Sequence, residues 1–102
     1  MITKSISLPR LNRLSPTLES TALKLMEEAG ELAQAIGKLR GMSGEQVEVS
    51  EHEVAGVITR ELLDVAQTAI SMMFVMEEAY GVDIEQALDQ HYEKLVRKGY
   101  LG

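Results

Sequence analysis

The sequence predicts an all-α domain built from two long helices and a shorter C-terminal one. Two long runs carry apolar residues at alternating spacings of four and three, the period of a helix that buries one face. Three start signals precede helical runs: Ser15-Pro16, Ser50 with Glu53, and Asp83 with Gln86. Gly41, Gly81 and Gly99 stand where the runs stop.

Residues 1–15 read as an irregular or extended arm, because Pro9, Arg10, Asn12 and Arg13 leave no clear period. Ile2, Ile6, Leu8, Leu11 and Leu14 are expected to pack over the helical body, while Arg10 and Arg13 are alternatively free to approach a substrate phosphate. The domain proper is expected over 16–102. Ser15 supplies a capping hydroxyl and Pro16 a pre-set first helical position. The first helix then runs to about Leu39, with Arg40 as a basic end and Gly41 as the residue beyond it. Its inward stripe is Leu18, Ala22, Leu25, Ala29, Leu32, Ile36 and Leu39. Gly30, Ala33, Ala35 and Gly37 are small enough either to permit close helix packing or to leave room for a ligand.

Gly41, Ser43 and Gly44 mark a polar loop over 41–49. Ser50 and Glu53 form a capping-box signature for a second helix that continues to Tyr80, with Gly56 and Thr59-Arg60 as the place for a kink. Val54, Ile58, Leu62, Val65, Ala69, Met72, Met76 and Ala79 make its stripe. Between Leu62 and Met76, however, eleven of fifteen residues are apolar and surround most of the helix. One neighbouring helix cannot cover such a surface, so the pattern predicts a homodimer or homotetramer. Asp83 and Gln86 open the third helix, from Ile84 to about Lys98, with Ile84, Ala87, Leu88, His91 or Tyr92, Leu95 and Val96 facing inward. Lys94, Arg97 and Lys98 gather at its C-terminal end, where they either offset the helix dipole or receive a phosphate.

Two acidic stretches interrupt the stripes: Met26-Glu27-Glu28-Ala29-Gly30-Glu31 and Glu61-Leu62-Leu63-Asp64. At about 100° of turn per residue, Glu28 and Glu31 lie about 60° apart, and so do Glu61 and Asp64. Glu28 borders the first stripe, Glu61 sits about 60° from the centre of the second, and Asp64 lies further out. Acidic pairs are common on solvated helix faces. Partly buried carboxylates with like-charged neighbours are nonetheless unfavourable unless something positive stands between them. A hard divalent cation meets that need, and Mg²⁺ favours oxygen ligands shared with substrate phosphates. A Glu-x-x-His spacing occurs nowhere, which excludes the di-iron bundle pattern.

Composition narrows the function further. At 102 residues the chain is one domain, near the size where association completes burial. It has no Cys, so a reducing cytoplasm is the expected compartment. The formal charge of −6 argues against a nucleic-acid binder. No secretory core precedes Ser15, and the most apolar window is too short to span a membrane and carries Asp64.

Glu27-Glu28-x-x-Glu31 followed by Glu61-x-x-Asp64 resembles the EExxE and ExxD signature of the MazG-like, all-α nucleoside triphosphate pyrophosphohydrolases. Leu25 to Leu32 is similar to that family's first motif helix and Arg60 to Val65 to its second. The likeness extends over about residues 16 to 100. It implies a MazG-like helical bundle completed by oligomerisation. It also implies Mg²⁺-dependent hydrolysis of a (deoxy)nucleoside triphosphate to the monophosphate and pyrophosphate, clearing modified or surplus nucleotides. By the same resemblance Glu28, Glu31, Glu61 and Asp64 are the expected ligands for Mg²⁺, with Mn²⁺ able to substitute. Glu27 and Glu28 are the expected catalytic residues, Glu27 orienting or deprotonating the attacking water. Lys94 and Lys98 match the spacing of the phosphate-binding positions, although family members often have Asn where this chain has Lys98.

Two other readings stay open at this level. One is a non-catalytic dimeric helical interaction or regulatory module whose acids are solubilising surface. The other is a metal-dependent phosphohydrolase that releases orthophosphate. For a base to stack on, the chain offers Phe74, Tyr80, Tyr92, Tyr100 or a partner chain, and nothing separates a purine from a pyrimidine pocket.

Overall fold

The computed structural model describes residues 1–40 and 50–102, so the expected loop over 41–49, and with it Gly41 as a helix stop, lies outside the described residues. The elements are α1 (Leu18–Leu39), α2 (Glu51–Tyr80) and α3 (Ile84–Arg97), with no strand among the described residues. The all-α expectation therefore holds, and each helix owes its bounds to identifiable caps.

α1 begins two residues later than the Ser15-Pro16 signal suggests. Thr17 is the cap: its hydroxyl accepts from the Ser20 N–H at 3.0 Å, and the Thr17 N–H donates to Ser20 Oγ at 2.8 Å. A cap at Ser15 would place Leu18 three residues on, where no side chain can return the bond. The reciprocal pair wins because it satisfies two amide donors. α2 has the Ser50 half of the expected capping box, the hydroxyl accepting from the Glu53 N–H at 3.2 Å. It runs as one helix of 30 residues past Gly56 and Arg60, and Thr59 there satisfies its hydroxyl on the Ala55 carbonyl at 2.8 Å. Gly81 ends it at φ 65°, a left-handed conformation open to glycine without a steric penalty. Asp83 caps α3 by accepting from the Gln86 N–H at 3.0 Å. Gly99 closes it at φ 78°, with the Tyr100 N–H reaching back to the Leu95 carbonyl at 2.9 Å.

α1 and α2 pack on each other as an antiparallel pair. The buried face of α1 is Thr21, Glu28 and Ala35 flanked by half-buried Leu18, Leu25, Leu32 and Leu39; that of α2 includes Val54, Glu61, Thr68 and Val75 flanked by Ile58, Val65 and Met72. These are strict heptad seams. The apolar stripe expected for α1 is corrected at every second position and that for α2 at Leu62, while Ala79 at the end of the α2 stripe is also exposed. Ala22, Ala29, Ile36 and Leu62 are exposed, and the seam is occupied by the residue one step before each of them. Glu28 accordingly lies in the seam instead of bordering it, and Glu61 takes the place expected for Leu62.

Two further expectations of burial are revised. Only Leu8 and Leu11 of the arm are half-buried, whereas Ile2, Ile6 and Leu14 stay exposed. α3 follows α2 through a short turn and contains no buried residue; Ile84 and Leu95 are half-buried, while Leu88, His91, Tyr92 and Val96 are exposed. The radius of gyration is 16.8 Å, against about 13 Å for a compact domain of this length. A single chain is thus an open hairpin with an arm at one side and a loosely attached third helix.

The two competing caps make distinguishable stability predictions. Thr17→Ala is expected to lower unfolding stability by about 1 kcal/mol. Ser15→Ala should change it by no more than a few tenths in the same urea titration, since its hydroxyl caps nothing.

Candidate metal and substrate site

The heptad seam determines which acids meet. Glu28, in the middle of α1, and Glu61, in the first half of α2, project into the same helix interface, and Glu31 follows Glu28 by one turn. One carboxylate oxygen from each of Glu28, Glu31 and Glu61 lies within 4.8 Å of the other two. Glu28 is 5 % exposed, Glu61 half-buried and Glu31 exposed, so the cluster leads from the interior to the surface.

Two of its oxygens have no hydrogen-bond partner although no water reaches them: Glu28 Oε2 and Glu61 Oε2. A buried carboxylate oxygen without a partner costs several kcal/mol less only if a cation or proton is supplied. Lys24, one turn before Glu28, supplies one positive charge at 3.0 Å from Glu28 Oε1, and stands 3.7 Å from Glu27. Its ammonium is held above the ordinary lysine range by the hydrogen bond to Glu28 and then by the charges of Glu27 and Glu28. That single ammonium leaves Glu28 Oε2 and Glu61 Oε2 unmatched. The Glu31 carboxyl is pushed above its usual range, first by the charge of Glu28, then by desolvation and by Glu61. Three oxygens and an unbalanced negative charge are a donor set for a hard divalent cation.

Asp64 does not join these three. It is exposed, one turn beyond Glu61, and lines the edge of a groove of about 390 Å³ with Lys24, Glu28, Gln67 and Thr68. The Thr68 hydroxyl, four residues beyond Asp64, donates to the Asp64 backbone carbonyl at 3.0 Å and so is not spent on the Asp64 side chain. Glu27 points to solvent beside Lys24. Lys94 and Lys98 are exposed on and after the last turn of α3, and neither lines the groove.

A family model described as the MazG nucleotide pyrophosphohydrolase domain matches residues 16–99. The chain belongs to the MazG nucleotide pyrophosphohydrolase family. No curated protein and no solved structure matches it. The MazG domain identifies a hydrolase of the pyrophosphohydrolase type whose substrates are nucleotides, and the helical hairpin is the part of it that carries both acidic motifs. Among the described residues no helix is long and apolar enough to cross a membrane.

Arg10 has a place that its sequence context left open. Its guanidinium grips Glu78 at the end of α2 with two bonds, Nε to Oε1 and Nη2 to Oε2, the latter at 3.0 Å. Glu78, in the last turn of α2, is therefore paired, and its carboxyl is held below the usual range by this bond. Lys24 is the site residue that the sequence reading missed. Its signal was the i, i+4 spacing to Glu28, which brings a lysine and a glutamate together on any helix.

The acidic cluster implies an unusual pH response. A carboxyl whose folded-state pKa is raised binds protons more readily folded than unfolded, so its contribution to stability is present below the ordinary glutamate range and is lost as pH rises through the raised value. Without divalent cation, wild type should gain melting temperature as pH falls from neutral towards that range. Glu31→Gln should show a smaller gain in the same scan.

Proposed function

We propose that the chain hydrolyses (deoxy)nucleoside triphosphates to the monophosphate and pyrophosphate with Mg²⁺, or Mn²⁺ in its place. The observation that carries this reading is the meeting of Glu28, Glu31 and Glu61 with two partnerless buried oxygens. Those residues suit a hard cation, and family membership directs its use to nucleotide phosphates. When bound, the cation offsets negative charge on the phosphate oxygens and lowers the pKa of an attacking water.

The remaining roles follow from position. Glu28, Glu31 and Glu61 are the inner ligands, and Asp64 contributes from the groove's rim. Glu27, directed to solvent next to the cluster, is the residue we assign to orient or deprotonate the water. Lys24 serves as a counter-charge to Glu28; a cation held by Glu28, Glu31 and Glu61 would take over that part and leave the ammonium available to a phosphate oxygen. Lys94 and Lys98 remain our assignment for the phosphate chain. Since α3 makes little contact with the hairpin of its own chain, we assign their approach to the acids to an assembly.

We also infer a homodimer or homotetramer. Ala35, Val54 and Val75 are the buried apolar residues among those described, and full burial of a Val contributes only about 1.5–3 kcal/mol. Ordering the backbone costs about 1–2 kcal/mol per residue. Meanwhile Leu62, Leu63 and Met73 on α2 and Leu88 and Val96 on α3 are exposed, Leu62 by 53 %. Covering that surface with a second copy supplies the missing burial.

A panel of standard and modified nucleoside triphosphates with Mg²⁺ or Mn²⁺, scored for pyrophosphate against orthophosphate, tests the reaction. Pyrophosphate and monophosphate are expected, and Glu61→Gln should lower activity by about 100-fold or more. Mg²⁺ at about 100 times its Kd should stabilise wild type by about 2.7 kcal/mol. If nothing turns over and Glu61→Gln matches wild type in metal titration, the assignment is lost. Separately, sedimentation should show wild type as an oligomer, and Leu62→Asp should shift it towards monomer.

A further inference from the structure

Beyond the acids, the groove continues away from the carboxylate cluster. From Lys24, Glu28 and Asp64 it runs beneath the arm, and its middle section of Leu11, Leu14, Pro16 and Ser71 is shared with a second recess of about 260 Å³. Phe74 and the Arg10–Glu78 pair wall that far recess. Small-molecule pockets occupy about 300–1,000 Å³ and combine apolar walls with a few fixed polar groups, a description that fits this passage.

The passage is electrically graded. Its near end carries the acids, whereas the charge of Arg10 at its far end is cancelled by a two-bond grip on Glu78. Among the described residues lining the far end an anionic group finds no unpaired cation, while a flat, weakly polar group finds Phe74 there. A ligand with a cation-binding head and a flat tail is thereby oriented head to acids, tail beneath the arm.

Apolar packing alone does not hold the arm in place. Leu14 is 67 % exposed and Leu11 only half-buried. The ties are polar: the Arg10 grip on Glu78, and the Gln67 side-chain amide donating to the Pro9 carbonyl at 2.9 Å. Gln67 Nε2 also reaches Ser71 Oγ, at 3.4 Å, on the passage floor.

We propose that Arg10 and Gln67 are positioning residues, fastening the arm as the outer wall of a nucleoside-binding passage that continues from the acidic cluster. The inference rests on the reading of that cluster as the phosphate end of a nucleotide site. The arm acts on the nucleoside alone, leaving the triphosphate to the cation that the acids would hold.

The test compares a nucleoside triphosphate that wild type hydrolyses with inorganic triphosphate, both with Mg²⁺. In Arg10→Ala, KM for the nucleotide should rise about tenfold with kcat within about twofold, while affinity for inorganic triphosphate in calorimetry stays at the wild-type value. Gln67→Ala should follow the same split more weakly. The exchanged pair, Arg10→Glu with Glu78→Arg, should recover KM, because it restores the tie with reversed charges. Equal losses for nucleotide and inorganic triphosphate, or an unchanged KM, overturn the proposal. Failure of wild type to hydrolyse any nucleotide is a different result: it removes the function assignment. Calorimetry then still decides the passage. A tighter affinity for nucleoside triphosphate than for inorganic triphosphate that disappears in Arg10→Ala supports it, and the absence of that difference overturns it.

Discussion

The structure is governed by two carboxylates standing where a helix pair ordinarily places leucine. Glu28 and Glu61 occupy seam positions of α1 and α2, and each has an oxygen sealed from water without a partner. Burying a charge this way is unfavourable by itself, and Lys24 compensates only one side of the cluster. The hairpin is therefore a scaffold under electrostatic load, which a small multivalent cation relieves more fully than one ammonium can. Thr21 and Thr68, one heptad away, add little more than a methyl group each of apolar burial, and their hydroxyls turn back to carbonyls one turn earlier in the chain. Stability within the single chain is spent on holding acids together.

That arrangement explains what was legible in the amino-acid sequence and what was not. Helix number, both α2 and α3 starts, and the glycine stops after α2 and α3 followed from local chemistry, because caps and left-handed turns depend on a few adjacent residues. The MazG family was legible from the two acidic motifs. The stripe assignment slipped by one residue at Ala22, Ala29 and Leu62 because a search for apolar periodicity moves to the nearest apolar neighbour when the true seam residue is Thr21, Glu28 or Glu61; at Ile36 it took the larger of two apolar neighbours over Ala35. Periodicity assumes that buried means apolar, and this seam breaks the assumption at its functional centre.

The tertiary role of Arg10 was hidden for a different reason. Its partner, Glu78, is 68 residues away, and no local pattern links an irregular arm to the end of a helix. The pairing also makes sense of α2 itself, whose last turn has Glu77 and Glu78 but no basic residue. Acids at a helix C-terminus oppose its dipole, and the arm delivers the missing positive charge. By contrast α3 carries Lys94 and Arg97 in its own last turn and needs no such help.

The buried acids also limit how the hairpin can mispair. Heptad seams permit one helix to slide along another by seven residues while keeping apolar faces together. Here a slide in either direction would set Glu28 against Thr68 or Val54, and Glu61 against Thr21 or Ala35. Neither carboxylate would then face another, and no single cation could serve both. The residues that make the correct alignment costly thus make every shifted register costlier still.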